Sequence, residues 1–186
     1  MRKRNPVNPA LRFAVIFLLL FIIFYYFNLL FIGVTAPGGY YNAFVDHHLN
    51  YVRWLRHGLL NGSSTVLNWF GYTTRTSEYQ LMVVGRGIIQ LVYSCLGLGV
   101  MSFFAAFVLA YPTKGRARYI FLIIGLITIE LLNIVRFVLL ALYWDGRQQR
   151  IADHHTIFNI IIYVLIMVTL YFWVTKADRS NTIHEN

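Results

Sequence analysis

The sequence predicts an all-α integral membrane protein: four transmembrane helices plus an outward, interfacial amphipathic helical segment. Three observations predict it. Hydrophobic side chains make up 58% of the 186 residues and charged ones only 12%, more apolar material than a soluble domain of this length can cover. Four apolar runs, near 11–32, 88–111, 119–143 and 156–175, each reach the ~20 residues that a helix needs to cross a bilayer. The basic residues also divide unevenly between the two sides that four spans define. The whole chain, 1–186, reads as a single membrane domain.

The first run begins "LRFAVIFLLLFIIFYYFNLLF" and is preceded or opened by Arg2, Lys3, Arg4 and Arg12. It is too long for the apolar region of a cleaved signal peptide, and Pro37 follows Val34-Thr35-Ala36 where cleavage would fall, so it reads as an uncleaved anchor. Lys114, Arg116 and Arg118 fill the short turn between the second and third runs, and Lys176 and Arg179 follow the fourth. All nine charges fall on one side. The positive-inside rule then makes both termini cytoplasmic and turns 33–87 and 144–155 outward, in a multi-pass protein of the cell membrane. The net charge of +9 is thereby explained by topology, with the lipid bilayer rather than nucleic acid as partner.

Within the outward segment, 33–87, "APGGYYN" is a turn. Residues 41–60 place Tyr41, Phe44, Val45, Leu49, Val52, Leu55 and Leu59 at helical spacing, with Asp46, Asn50, Arg53 and His57 opposite. That pattern predicts an amphipathic helix lying along the interface. "NGSS" is expected to end it, and "STVLNWF" to form a short second helix stopped by Gly71. "YTTRTSEYQLMVVG" alternates weakly, as a hairpin or extended segment would. It leads towards Cys95, where it suits the positioning of an extended peptide.

Depth singles out three residues. Pro112 fixes the inner end of the second span near Tyr111; about twenty residues back, at about 1.5 Å each, lies Val92. Cys95 is thus about one turn inside the outer boundary. The third span, read outward from Tyr119, leaves the core near Val138, which puts Arg136 within about one turn of the same boundary. The fourth, read back from Thr175, begins near Thr156, beside His155. A thiol, a guanidinium and an imidazole from three helices meet at one depth.

Their neighbours strengthen the coincidence. Glu130, Asn133 and Arg136 are spaced i, i+3, i+6, and His155, Asn159 and Tyr163 recur every four residues. Polar lines in an apolar bundle are expected to face each other, because facing lipid is costly. Cys95 is the only cysteine, so no internal disulfide exists. A nearby cation and a helix N-terminus capped by Asp153 both favour an anion there. Arg136 cannot act as a base; it is suited to holding a thiolate or stabilising an oxyanion, while His155 can move the proton. The set suits cysteine-based acyl transfer on a peptide, with no metal and no organic cofactor. Two rivals remain: a metal or haem protein using the His47-His48 and His154-His155 pairs, and a non-catalytic subunit of an export or surface-polymer assembly complex. Adjacent helical histidines point about 100° apart, which disfavours chelation by either pair.

The blocks "SCLGLGVMSFFAAFVLAYP", "NIVRFVLLALYW" and "DHHTIFNIIIYVLI" resemble the three signature blocks of the exosortase/archaeosortase family, in its short form. The likeness is strongest over 85–175, and its force lies in the order Cys, Asn-x-x-Arg, His on successive spans. The resemblance implies a membrane cysteine transpeptidase or protease whose partners are exported proteins with a C-terminal sorting signal: a short motif, a membrane segment and a basic tail. Cleavage at the motif, with transfer to a surface acceptor, is the implied reaction, and a small membrane partner protein is compatible with it. The catalytic positions fall on Cys95, Arg136 and His155. Asn133, Asn159 and His154 are the candidate orienting or substrate-contacting residues. "CLG" stands where Cys-Ser-Gly or Cys-Asn-Gly is more usual, which leaves the substrate motif open.

Overall fold

A computed structural model describes residues 8–36, 40–113, 116–143 and 151–183, with the side chains of 151–159 and 177–183 outside the description. The long helices form where the apolar runs lie. Helix α1, Pro9–Thr35, starts with Pro at its first position, and the Asn8 side chain accepts from the Ala10 N–H at 3.1 Å. Both are ordinary helix-start devices. Helices α4 (Leu98–Ala110), α5 (Ala117–Tyr143) and α6 (Ile151–Ile183) complete the set. Among the described residues three helical stretches are long and apolar enough to cross a membrane: Pro9–Thr35, Tyr93–Ala110 and Ala117–Tyr143. The fourth expected span corresponds to the shorter apolar stretch Ile160–Lys176 within α6.

Helices α1 and α4 are joined by a phenylalanine ladder. Phe13 meets Phe107 and Phe17 meets Phe103 edge-on, each with ring centroids 5.3 Å apart, a geometry that aligns ring edges with faces. One polar link lies above it: Asn28 donates to Ser102 Oγ at 2.9 Å and accepts from the Tyr51 hydroxyl at 2.5 Å. Helices α4, α5 and α6 share a second core of Phe104, Val108, Ile129, Ile162, Ile166 and Leu170.

Between α1 and α4 the chain builds a cap at the end of the bundle where α1 and α5 finish. It contains α2 (Ala43–Leu49), α3 (Tyr51–Trp69) and an antiparallel meander of β1 (Thr74–Thr76), β2 (Gln80–Val83) and β3 (Gly87–Gln90). Arg75 pairs with Met82 and Leu81 with Ile89. The buried side of the sheet (Leu81, Val83, Ile89, Leu91) packs with Val52, Leu59, Leu60 and Leu67 of α3 and with Phe137, Val138 and Ala141 of α5. Arg86, in the β2–β3 turn, donates to the Leu142 carbonyl and to the Tyr72 hydroxyl. It fastens the hairpin to the C-terminal end of α5, where unpaired carbonyls welcome a cation.

The structure corrects four expectations. "NGSS" does not end a helix: α3 runs through it. Gly62 and Ser63 are small because α5 is close; a Cβ on Gly62 would sit 2.7 Å from Ile134 Cδ1, and Ser63 is fully buried. Small residues here mark helix contact, and the stop comes at Gly71, with φ +86°. The second span begins later than 88, since 87–90 is β3 and a 3-10 turn, Tyr93–Leu96, precedes α4. An apolar run does not by itself distinguish a buried strand from a helix. Asp46 and Asn50 are buried, not on a solvated face. Tyr163 is 50% exposed, while Ile162, Ile166 and Leu170 face the bundle. A four-residue repeat drifts about 40° per step around a 3.6-residue helix, so four-residue spacing does not by itself put Tyr163 on the bundle face.

The α4–α5 contact depends on Gly125, where a Cβ would overlap the ring of Phe104, itself buried and unable to swing aside. Gly125→Ala is therefore expected to destabilise the bundle by about 1–3 kcal/mol, read as a lower Tm in detergent. Gly33→Ala, with nothing within 4 Å, is the control and should not lower it. A Gly125→Ala protein as stable as wild type would refute this packing.

Candidate active site

Cys95 sits on the 3-10 turn that connects the sheet to α4, its N–H bonded to the Val92 carbonyl at 2.9 Å. The turn closes at Gly97, whose φ of +71° lies in the left-handed region, open to glycine at little cost. That reversal starts α4 in a new direction and leaves Cys95 facing α5. The thiol is buried.

Across from it, Arg136 Nη2 donates to Cys95 Sγ at 3.3 Å, and Arg136 is only 5% exposed. A guanidinium so buried cannot be explained by its reach to water. One turn earlier on α5, Asn133 is also buried, its amide nitrogen pressed against Gly97. Glu130 continues the line, with both carboxyl oxygens buried. Of the six candidate residues, Cys95, Arg136 and Asn133 are brought together. His154, His155 and Asn159 lie on α6, but their side chains fall outside the described residues.

A family model described as transmembrane exosortase matches residues 5–172. The chain belongs to the transmembrane exosortase family. The match takes in Cys95, Asn133, Arg136 and position 155 together with the whole cap, so the cap is part of what the family model covers. No curated protein and no solved structure shows a significant match. The family and the apolar helices together make this a membrane protein.

This exosortase also has a polar cluster that the sequence reading did not single out. Arg56, 3% exposed, pairs with Glu78 at 3.0 Å and stacks over the Tyr79 ring at 3.9 Å. Beside it, Arg53 grips both oxygens of Asp46 at 2.9 and 3.0 Å, and the Asn50 amide donates to Asp46 at 2.6 Å. The Asn50 bond is the largest influence holding the Asp46 carboxyl below the usual carboxylate range, against the opposing effect of burial. These groups and Tyr93, two residues from Cys95, line a cavity of about 280 Å³. The signal for Arg56 was present: it follows Val52 by four residues and precedes Leu60 by four, on the apolar stripe of α3. Among the described residues no three His, Cys, Asp or Glu side chains are grouped as a metal site would require. His47 and His48 are exposed, the latter stacked on Phe44.

Gly97 and Asn133 form the contact that seats the Cys95 turn on α5. Gly97→Ala adds a left-handed strain of roughly 1–2 kcal/mol and a clash with the Asn133 amide. It is expected to lower Tm and change the alkylation rate of Cys95. Adding Asn133→Ala should restore part of the loss and leave the backbone strain. Strictly additive losses in this double-mutant cycle would mean that the two residues do not touch.

Proposed function

We propose that this exosortase is a cysteine transpeptidase or protease, which cleaves a C-terminal sorting signal of exported proteins at the outer face of the cell membrane and passes them to a surface acceptor. The observation that carries the reading is the buried hydrogen bond from Arg136 to the Cys95 thiol. A permanent charge held against a sole cysteine, at the junction of cap and bundle, has a ready use in nucleophilic chemistry. The basic residues at the other ends of the helices support an orientation with both termini cytoplasmic.

In this mechanism His155 takes the Cys95 proton, and Sγ attacks the carbonyl carbon of the scissile amide. Arg136 stabilises the oxyanion that forms. As the C–N bond breaks, His155 returns the proton to the leaving amine, which departs with the membrane segment and basic tail. The exported protein remains as a thioester on Cys95. An acceptor amine, hydroxyl or water, deprotonated by His155, attacks the thioester carbonyl and releases the thiolate, which recovers the proton. Asn133 orients Arg136, and Asn159 and His154 lie on the α6 side. No metal or organic cofactor enters any step.

Cys95→Ala is expected to leave the protein folded and inserted while abolishing processing. Comparing membrane proteomes with and without it identifies the substrates as exported proteins that keep a C-terminal span only in the mutant. Normal processing there would sink the reading in favour of a non-catalytic subunit. Arg136→Lys should lose at least about 100-fold, as removal of an oxyanion donor does, because an ammonium cannot reproduce the planar fork. Near-normal activity with lysine would reduce Arg136 to a topological charge.

The two histidines separate by register. Position 155 precedes the bundle-facing Ile162 by seven residues, about two helical turns, whereas position 154 lies about 100° round from 155. His155→Ala is expected to lose activity and His154→Ala to keep most of it, measured on a processed substrate at matched membrane levels. The reverse result would move the catalytic base to His154, and full activity in both would remove histidine from the mechanism.

A further inference from the structure

Strand β3 runs directly into the site. After Gln90, two extended residues, Leu91 and Val92, lead into the 3-10 turn of Cys95. Among the described residues β3 is also an outer strand, paired only with β2. The register Leu81↔Ile89 and Val83↔Gly87, continued by the bond from Leu91 N–H to the Tyr79 carbonyl at 2.7 Å, shows which amides face β2. Alternation then turns the N–H and C=O of Ile88 and Gln90 away from it, and neither has a hydrogen-bond partner among the described residues. Ile88 is 50% and Val92 49% exposed. Edges of this kind are normally blunted by lysine, proline or a bulge. "GIIQ" has none of them.

We propose that the free edge of β3 is the docking strand for substrate. The extended segment just before the scissile bond adds there as a fourth strand and is delivered to Cys95. The inference rests on the peptidase reading above and goes beyond it by naming where the peptide binds. Main-chain ladder bonds supply affinity to any sequence, and pockets for alternate side chains supply selection. The reach is right: two extended residues at about 3.3 Å and three more at about 2.0 Å separate Gln90 from Cys95. About four extended residues of substrate cover the same span. The segment preceding the scissile bond approaches from the cap, as β3 does, and so lies parallel to it.

The test uses the full chain in its own membrane. A photo-crosslinking phenylalanine derivative replaces Ile88 in the Cys95→Ala protein, or Arg75 on the opposite edge strand, β1. The probes are the exported precursors that accumulate in Cys95→Ala cells. Adducts from position 88 are expected to map to the residues just before a precursor's C-terminal apolar segment, with none from position 75. Adducts only to lipid, only to a second copy of this chain, or none at all overturn the proposal. In the Cys95 protein, Gln90→Pro removes an outward N–H that β2 does not use, and Thr76→Pro does the same on the far edge of β1. Gln90→Pro is expected to slow processing at least tenfold with Cys95 still alkylated as in wild type, and Thr76→Pro to leave processing unchanged. Equal processing by both variants overturns the docking strand while leaving the peptidase standing. Processing that survives Cys95→Ala overturns the peptidase itself. The crosslinking result decides alone if Gln90→Pro fails to fold.

Discussion

The burial of the Arg136 guanidinium against Cys95 is the constraint around which the rest is arranged. A charge in an apolar helix costs about 2.5–3.5 kcal/mol on insertion scales, and leaving it unpartnered in a packed interior costs more. The thiol is one of the groups brought to it, at 3.3 Å. That requires the second span to begin as a 3-10 turn and not a continuous helix, and the turn requires a glycine at 97. Gly97 in turn lets Asn133 approach, so Asn133, which seats the turn, and Arg136, which meets the thiol, lie one turn apart on α5. Small residues at 62 and 63 bring α3 against the same stretch of α5. The cap is closed over the charge from two directions.

Much of this was legible in the sequence because it rests on length, periodicity and depth. The helices α1 and α5 follow from uninterrupted apolar runs, and counting from basic turns places Cys95 and Arg136 at one level before any contact is known. What was not legible depends on tertiary context. "IIQLV" in 88–92 is as apolar as the helix that follows, and only pairing with β2 makes part of it a strand. "NGSS" has the composition of a loop, and it is the proximity of Ile134 that keeps it helical. Arg56 sits on an apolar stripe that the eye assigns to hydrophobes, and its partners, Glu78 and Tyr79, are more than twenty residues away. Tyr163 was placed by a four-residue repeat that a real helix does not keep.

The two cores divide the labour. Phe104, Val108 and the α6 line Ile162, Ile166 and Leu170 hold the helices together within the bundle. The other core, which includes Cys95, belongs as much to the cap as to the bundle. Asn28 connects them, bridging Ser102 of α4 and Tyr51 of α3 from about two turns before the end of α1. In an apolar setting such a bridge fixes rotation and depth more than it adds stability, since interhelical polar contacts in membranes average well under about 1–2 kcal/mol.

Because Phe137, Val138 and Ala141 belong to the core that α3 and the sheet cover, the cap has no complete interior until α5 has been made. Some 70 residues separate Leu67 from Phe137. At about 5–20 residues per second a ribosome takes roughly 4–14 s to cover them. Throughout that interval α3 has been synthesised without its surface to fold on, and Cys95, once made, has no Arg136 beside it until α5 follows. The chain is thus born with the Cys95–Arg136 contact unassembled. A truncated or half-inserted copy lacks the Cys95–Arg136 contact by construction, and the newly made membrane protein gains it only when the third span has arrived.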